Sequence, residues 1–141
     1  MNFLTIEDFT MKMSEDIRNQ ITDTNDAMLD DAEIHATAII QDAFYDKYDL
    51  DAEFAKTGDE RHRNLLRWML NLTVYFIYER IPDDEVPERV VKNYDDTIAD
   101  IKAVEQGKRN TSLKKLIRAD NLRNETNFRW GSNEPRINNP F

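Results

Sequence analysis

The run from Leu65 to Tyr78 constrains this chain more than any other feature. Eleven of its fourteen positions are apolar, and only Arg67, Asn71 and Thr73 interrupt them. A helix apolar nearly all round must be covered on most sides, by its own domain or by another copy. Its most apolar part, Trp68 to Tyr78, is about half the ~20 residues that a bilayer span requires. The spacing predicts a helix from about Asp59 to Arg80, started by Thr57-Gly58-Asp59 and closed by Ile81-Pro82.

Helical patterns surround it. Thr5 is placed as an N-cap with Asp8 as its capping-box partner, and Leu4 and Phe9 stand where a hydrophobic staple would. Ile6, Phe9, Met13, Ile17 and Ile21 recur at helical spacing, which predicts one amphipathic helix ended by the Thr-, Asn- and Asp-rich segment that follows. A second helix starts at Asp30 with Glu33, or earlier at Thr24 or Asp26. It presents Ala32, Ala36, Ile39, Ile40, Ala43 and Phe44 on one face. Asp49 to Gly58 reads as a connection. A last helix opens at Pro87, buries Val90, Val91, Tyr94, Ile98, Ile101 and Val104, and stops at Gly107. Strand-like alternation is absent. The expected fold is all-α, a small bundle of about four helices over residues 1–107, followed by an extended C-terminal arm over 108–141.

Charge separates the same two regions. Residues 1–107 carry 11 Lys and Arg against 25 Asp and Glu, a balance of −14. Residues 108–141 carry 8 against 3, a balance of +5, so the net −9 hides a basic end on an acidic body. Leu113, Leu116, Ile117 and Leu122 are spaced for one short helical turn, and the last eleven residues hold two prolines and three asparagines. Large apolar groups remain there, and burying each is worth roughly 1.5–3 kcal/mol. A pure linker would be rich in Ser, Gly and Glu instead. The segment reads as an arm that docks on a companion. The bland alternative is that it folds back on its own bundle.

Catalytic and metal-binding patterns are weak. With no cysteine, disulfides, thiolate chemistry and Cys-based zinc sites are excluded. The acidic stretch from Asp23 to Asp31 lacks the sixth-position Gly and closing Glu of a calcium loop. His35 and His62 have no metal-ligand partner at i+4, and Glu60-Arg61-His62-Arg63 reads as a solvated first helical turn. No phosphate-cradling loop or nucleophile elbow occurs. The expectation is a soluble intracellular protein that is not an enzyme and holds no cofactor or metal. The start, MNFLTIEDF, has no basic leader followed by an apolar run.

Several segments together carry a resemblance: LDDAEIHATAIIQDAFYDKYDLDAEFAKTGDERHRNLLRWML, RIPDDEVPERVVKNYDDTIADIKAVEQGK and RWGSNEPRINNPF. Their most specific parts are Tyr48-Asp49 leading to Gly58-Asp59-Glu60-Arg61, Val86-Pro87 with Tyr94-Asp95-Asp96, the Gly107 stop, and Gly131-Ser132-Asn133. The chain resembles the Mu-like family of tailed-bacteriophage neck proteins, related to head–tail connectors (adaptors), from about Phe3 to its end. That resemblance implies a protomer of a closed homo-oligomeric ring, typically of twelve copies, under the portal protein. The ring would extend the DNA channel, let genomic DNA pass without specific binding, and meet the next neck or tail component. Its place would be the virion neck, after assembly in the host cytoplasm, with no membrane involved. Family proteins commonly grip the portal or an adjacent subunit with C-terminal segments. The docking candidates are therefore Arg118, Arg123, Phe128, Arg129, Trp130, Arg136, Ile137 and Phe141. The alternative reading is a small helical DNA-binding or packaging accessory protein using its basic tail.

Overall fold

In chain order the helices are α1 (Ile6–Phe9), α2 (Glu15–Thr22), α3 (Asp26–Ala43), α4 (Leu50–Phe54), α5 (Arg63–Tyr78) and α6 (Glu88–Glu105). Single 3₁₀ turns stand at Gly58–Glu60 and Asp83–Glu85. The structure, a computed structural model, describes residues 1–117. Among them there is no strand, only an isolated antiparallel bridge between Tyr48 and Lys115.

The apolar helix is covered by its own chain. α5 packs against both α3 and α6, and every residue from Trp68 to Val74 is buried. Leu65, Met69 and Leu72 are sealed from water, and the Trp68 ring lies 5.9 Å from that of Phe44 at the end of α3. Two of the three polar interruptions, Asn71 and Thr73, are buried as well. Asn71 donates from Nδ2 to Thr97 Oγ1 on α6 at 2.9 Å, so one of them ties the helix pair together. Among the described residues no helix is long and apolar enough to cross a membrane.

The all-α bundle stands, with more and shorter pieces than the pattern implied. The first expected helix is two. Thr10 Oγ1 donates to the Glu7 carbonyl at 2.7 Å as α1 ends, and Ser14 caps α2 by accepting from the Ile17 N–H at 3.3 Å. A mid-stripe serine that can satisfy an orphan N–H competes with helix continuation, and here it wins. The stripe divides accordingly: Phe9 and Met13 are buried, whereas Ile6 and Ile17 are each about 40% exposed. Leu4 and Phe9, the expected staple pair, are both in the core. Asp8 accepts from the Thr5 N–H at 2.7 Å, the reciprocal half of the box.

α3 starts at Asp26, one of the two earlier starts considered. Asp23 and Thr24 adopt left-handed φ of 54° and 55°, and Asn25 then accepts from the Ala27 N–H at 3.0 Å. The connection after Asp49 contains α4, capped by Asp49 at the Ala52 N–H. α5 begins at Arg63, four residues later than expected, because Arg61 leaves the helical path. Its guanidinium spans both Asp8 oxygens at 2.7 and 3.1 Å and also donates to the Phe3 carbonyl at 2.9 Å. His62 Nδ1 takes over as cap by accepting from the Leu65 N–H. The supposed solvated turn is thus a tether for the N-terminal segment. Pro87 stands one place ahead of the first helical residue of α6. At the far end Gly107, with φ of 74°, lets Lys108 N–H reach the Ala103 carbonyl and its own N–H reach that of Val104. That pair of bonds is a Schellman stop, and only glycine adopts its left-handed turn without cost.

Candidate docking surface

Past Gly107 the chain turns back over the body. Instead of a helical turn, residues 111–117 form an extended strap along the 47–49 loop and α4. Asp49 N–H donates to the Lys114 carbonyl at 2.7 Å, and Leu116 N–H donates to the Lys47 carbonyl at 3.1 Å. Leu113 is buried in the core. His62 Nε2 and Ser112 Oγ are 2.7 Å apart, and the Lys47 ammonium donates to the Glu105 carbonyl. The packed body therefore continues through Leu116.

Glu53 holds the strap. Its side chain is almost wholly buried, and its Oε2 accepts from the Lys114 N–H at 2.9 Å while Oε1 faces the Lys56 ammonium. Burial alone would raise its pKa. The bonds from Lys56 and Lys114, with the field of His62, outweigh that and bring it below the ordinary carboxylate value. Glu33 does the same for the other end of the chain: buried in α3, it accepts from the N–H groups of Asn2, Phe3 and Leu4 at 2.7, 3.0 and 2.7 Å.

Sequence reasoning missed both carboxylates. The pattern reads Glu33 as part of a helix start and Glu53 as part of a connection. A signal existed for Glu33, because it falls among Leu29, Ala32, Ala36 and Ile40 on the buried face. Glu53 sits in a five-residue helix too short for any periodicity to reveal.

All eight docking candidates, Arg118, Arg123, Phe128, Arg129, Trp130, Arg136, Ile137 and Phe141, lie outside the described residues. The charge around them can still be placed. Lys108, Arg109, Lys114 and Lys115 supply +4 of the basic surplus without any acid among residues 108–117. Residues 118–141 hold four arginines against Asp120, Glu125 and Glu134, leaving +1. Most of the surplus thus belongs to residues 108–117, where Arg109 pairs with Asp100 and Lys114 lies 3.5 Å from Asp49.

Beside the strap runs a trough along the outer face of α3. Two hollows of about 450 and 370 Å³ adjoin there, with Gln41 and Asp51 lining both. Phe3, Ile34, Ala38 and Phe54 line one end, and Phe44, Tyr45, Tyr48, Leu50 and Leu116 line the other. Asp42, Asp46, Asp49 and Asp51 also line it. Ile34 and Tyr45 are 63% and 77% exposed, apolar groups that the fold leaves in water. A separate hollow of about 550 Å³ lies between α3 and α5, where His35 stands against Phe76 and 3.5 Å from Asp31.

The fold defines the class: a small all-α protein with its N-terminal segment and residues 111–117 strapped to a three-helix core. The family model described as Bacteriophage Mu, Gp36, matches residues 3–129, and the chain belongs to that family. It is a bacteriophage-family protein, and this membership supports a part in phage structure or assembly and an association with the virion. Comparisons with curated proteins and with solved structures gave no match.

Proposed function

We propose that this chain is a head–tail connector (adaptor) of the phage neck, a non-catalytic protomer of a ring beneath the portal. The family match over residues 3–129 is the observation that carries this reading. In it, copies join head to tail, typically twelve to a ring, each offering one patch and receiving a different one. Residues 118–141 grip the portal or the next subunit, with Phe128, Trp130, Ile137 and Phe141 as apolar anchors and Arg118, Arg123, Arg129 and Arg136 setting register. The acidic body supports a channel role, since carboxylates facing a lumen repel phosphates and let the genome slide. A further neck or tail component would seat on the opposite side of the ring.

The strap fixes where the test must cut. Removing everything after Gly107 would take Leu113 out of the core, so the informative truncation ends at Ile117. Electron microscopy of portal mixed with full chain should show an added ring, and the truncated chain should keep its helical circular dichroism yet add none. Equal ring formation by both would remove the arm from the assembly. Duplex binding by the free chain, with log affinity falling against log salt at about 0.9 per phosphate contacted, would favour a DNA accessory role instead.

A further inference from the structure

We infer that the α3 trough receives a second copy of this chain, which inserts Met11 and sets the cations beside it, Lys12 and Arg89, against the trough's acids. The choice of a second copy rests on the ring reading; what is added is the pair of body surfaces that meet. The trough calls for a partner that is apolar at its centre and basic around it. Ile34, Ala38 and Tyr45 leave apolar surface in water on α3 and just past its end. Asp42, Asp46, Asp49 and Asp51 line the same surface, and among the described residues no Lys or Arg lines either hollow. Asp49 faces Lys114, whereas Asp42 and Asp51 enter no ion pair among the described residues.

Such a surface exists elsewhere on the same fold. Met11, between α1 and α2, is 83% exposed, more than any other large apolar side chain among the described residues. Arg89, in the first turn of α6, donates to the Lys12 carbonyl at 3.0 Å. Lys12 and Arg89 line a small cleft between α5 and α6 that has no acid in its lining, and neither enters an ion pair among the described residues. Arg67, on α5, already shares Asp100 with Arg109. Burial, and then the charges of Arg67 and Arg89, hold the Lys12 ammonium below its ordinary value, as befits cations crowded together without a counter-charge. In a body whose balance is −14, that grouping is an exception, and a neighbour's carboxylates supply what it lacks. An unbranched methionine adapts to an irregular apolar floor, while the opposed charges fix register and speed encounter. The cleft and the trough share no lining residue, so one chain can offer the first while receiving on the second, as a head-to-tail contact requires.

Disulfide trapping of the full chain tests the contact without portal, and the absence of native cysteine makes each link unambiguous. Met11→Cys chains mixed with Ala38→Cys chains, all at exposed positions, should link about tenfold faster than Met11→Cys chains mixed with Asp96→Cys chains. They should also link faster than Met11→Cys chains link to one another. Adding Arg89→Glu to the first chain should slow the link about tenfold, and adding Asp51→Lys to the second should restore most of it, with circular dichroism preserved throughout. Equal rates in the two mixtures, self-linkage as fast as the mixed reaction, or a charge reversal without effect or without rescue would overturn the assignment. The neck reading is judged separately, on portal assembly. A ring on the portal from chains that fail to link would overturn this contact alone, whereas linked pairs from chains that add no ring would support the contact and remove the neck reading.

Discussion

The α3–α5–α6 core and the straps around it are held by different physics. In the core, stability is spread over many apolar contacts, so each residue matters by the volume it fills. At the periphery, single buried carboxylates hold whole segments: Glu33 gathers three backbone N–H groups near the N-terminus, and Glu53 gathers Lys114. Dispersed contacts degrade gradually, whereas a one-residue clasp either holds or opens its segment.

Core truncation should have the largest effect. Trp68→Ala should cost about 3–5 kcal/mol in a denaturant melt and lower the stability of the whole chain, because the cavity opens where α3 and α5 meet. A smaller loss would mean that the core collapses around the hole. Glu33→Ala should cost about 3 kcal/mol by stranding its three N–H donors. Hydrogen exchange should rise first at Asn2, Phe3 and Leu4, with α5 still protected. If exchange rose equally in α5, the clasp would be part of the core and the contrast between the regions would fail.

The smallest effect is a pH response. Glu53 and Asp8 both titrate below their ordinary values of 4.5 and 3.8. Burial opposes this in each case; Lys56 and the Lys114 N–H outweigh it for Glu53, and Arg61 and Thr5 for Asp8. A lowered folded pKa gives stabilisation that is complete above the unfolded value and lost as pH falls through the folded one. The chain should therefore lose stability below about pH 4.5, with amides from Lys114 to Leu116 exchanging before those of α5. Glu53→Gln should remove part of that acid dependence while leaving the rest to Asp8. An unchanged acid limb in this variant would show that Glu53 does not fasten the strap.

Legibility in the sequence follows the same divide. The spans of α5 and α6 were readable because long apolar periodicity and terminal Pro and Gly are local signals. The break at Thr10–Ser14 was not, since Ser14 decides between continuing a helix and capping a new one by a margin of about 1 kcal/mol. The late start of α5 depends on Arg61 meeting Asp8 across 53 positions, a pairing with no local signature. The strap was hidden for a related reason: Leu113 alone anchors it in the core, and a single apolar residue sets no period. The docking candidates rest on the family resemblance, and the structure adds where their segment leaves the body.

The burial of most of α5 by its own chain also bears on how copies would come together in the proposed ring. A helix sealed by its own chain lets each molecule fold by itself, at a rate indifferent to dilution. Whatever contacts then join one molecule to the next must be recruited from surface that water already tolerates. In the proposed ring such unions would form late and part without unfolding either member, which would suit a component stockpiled before its place is ready.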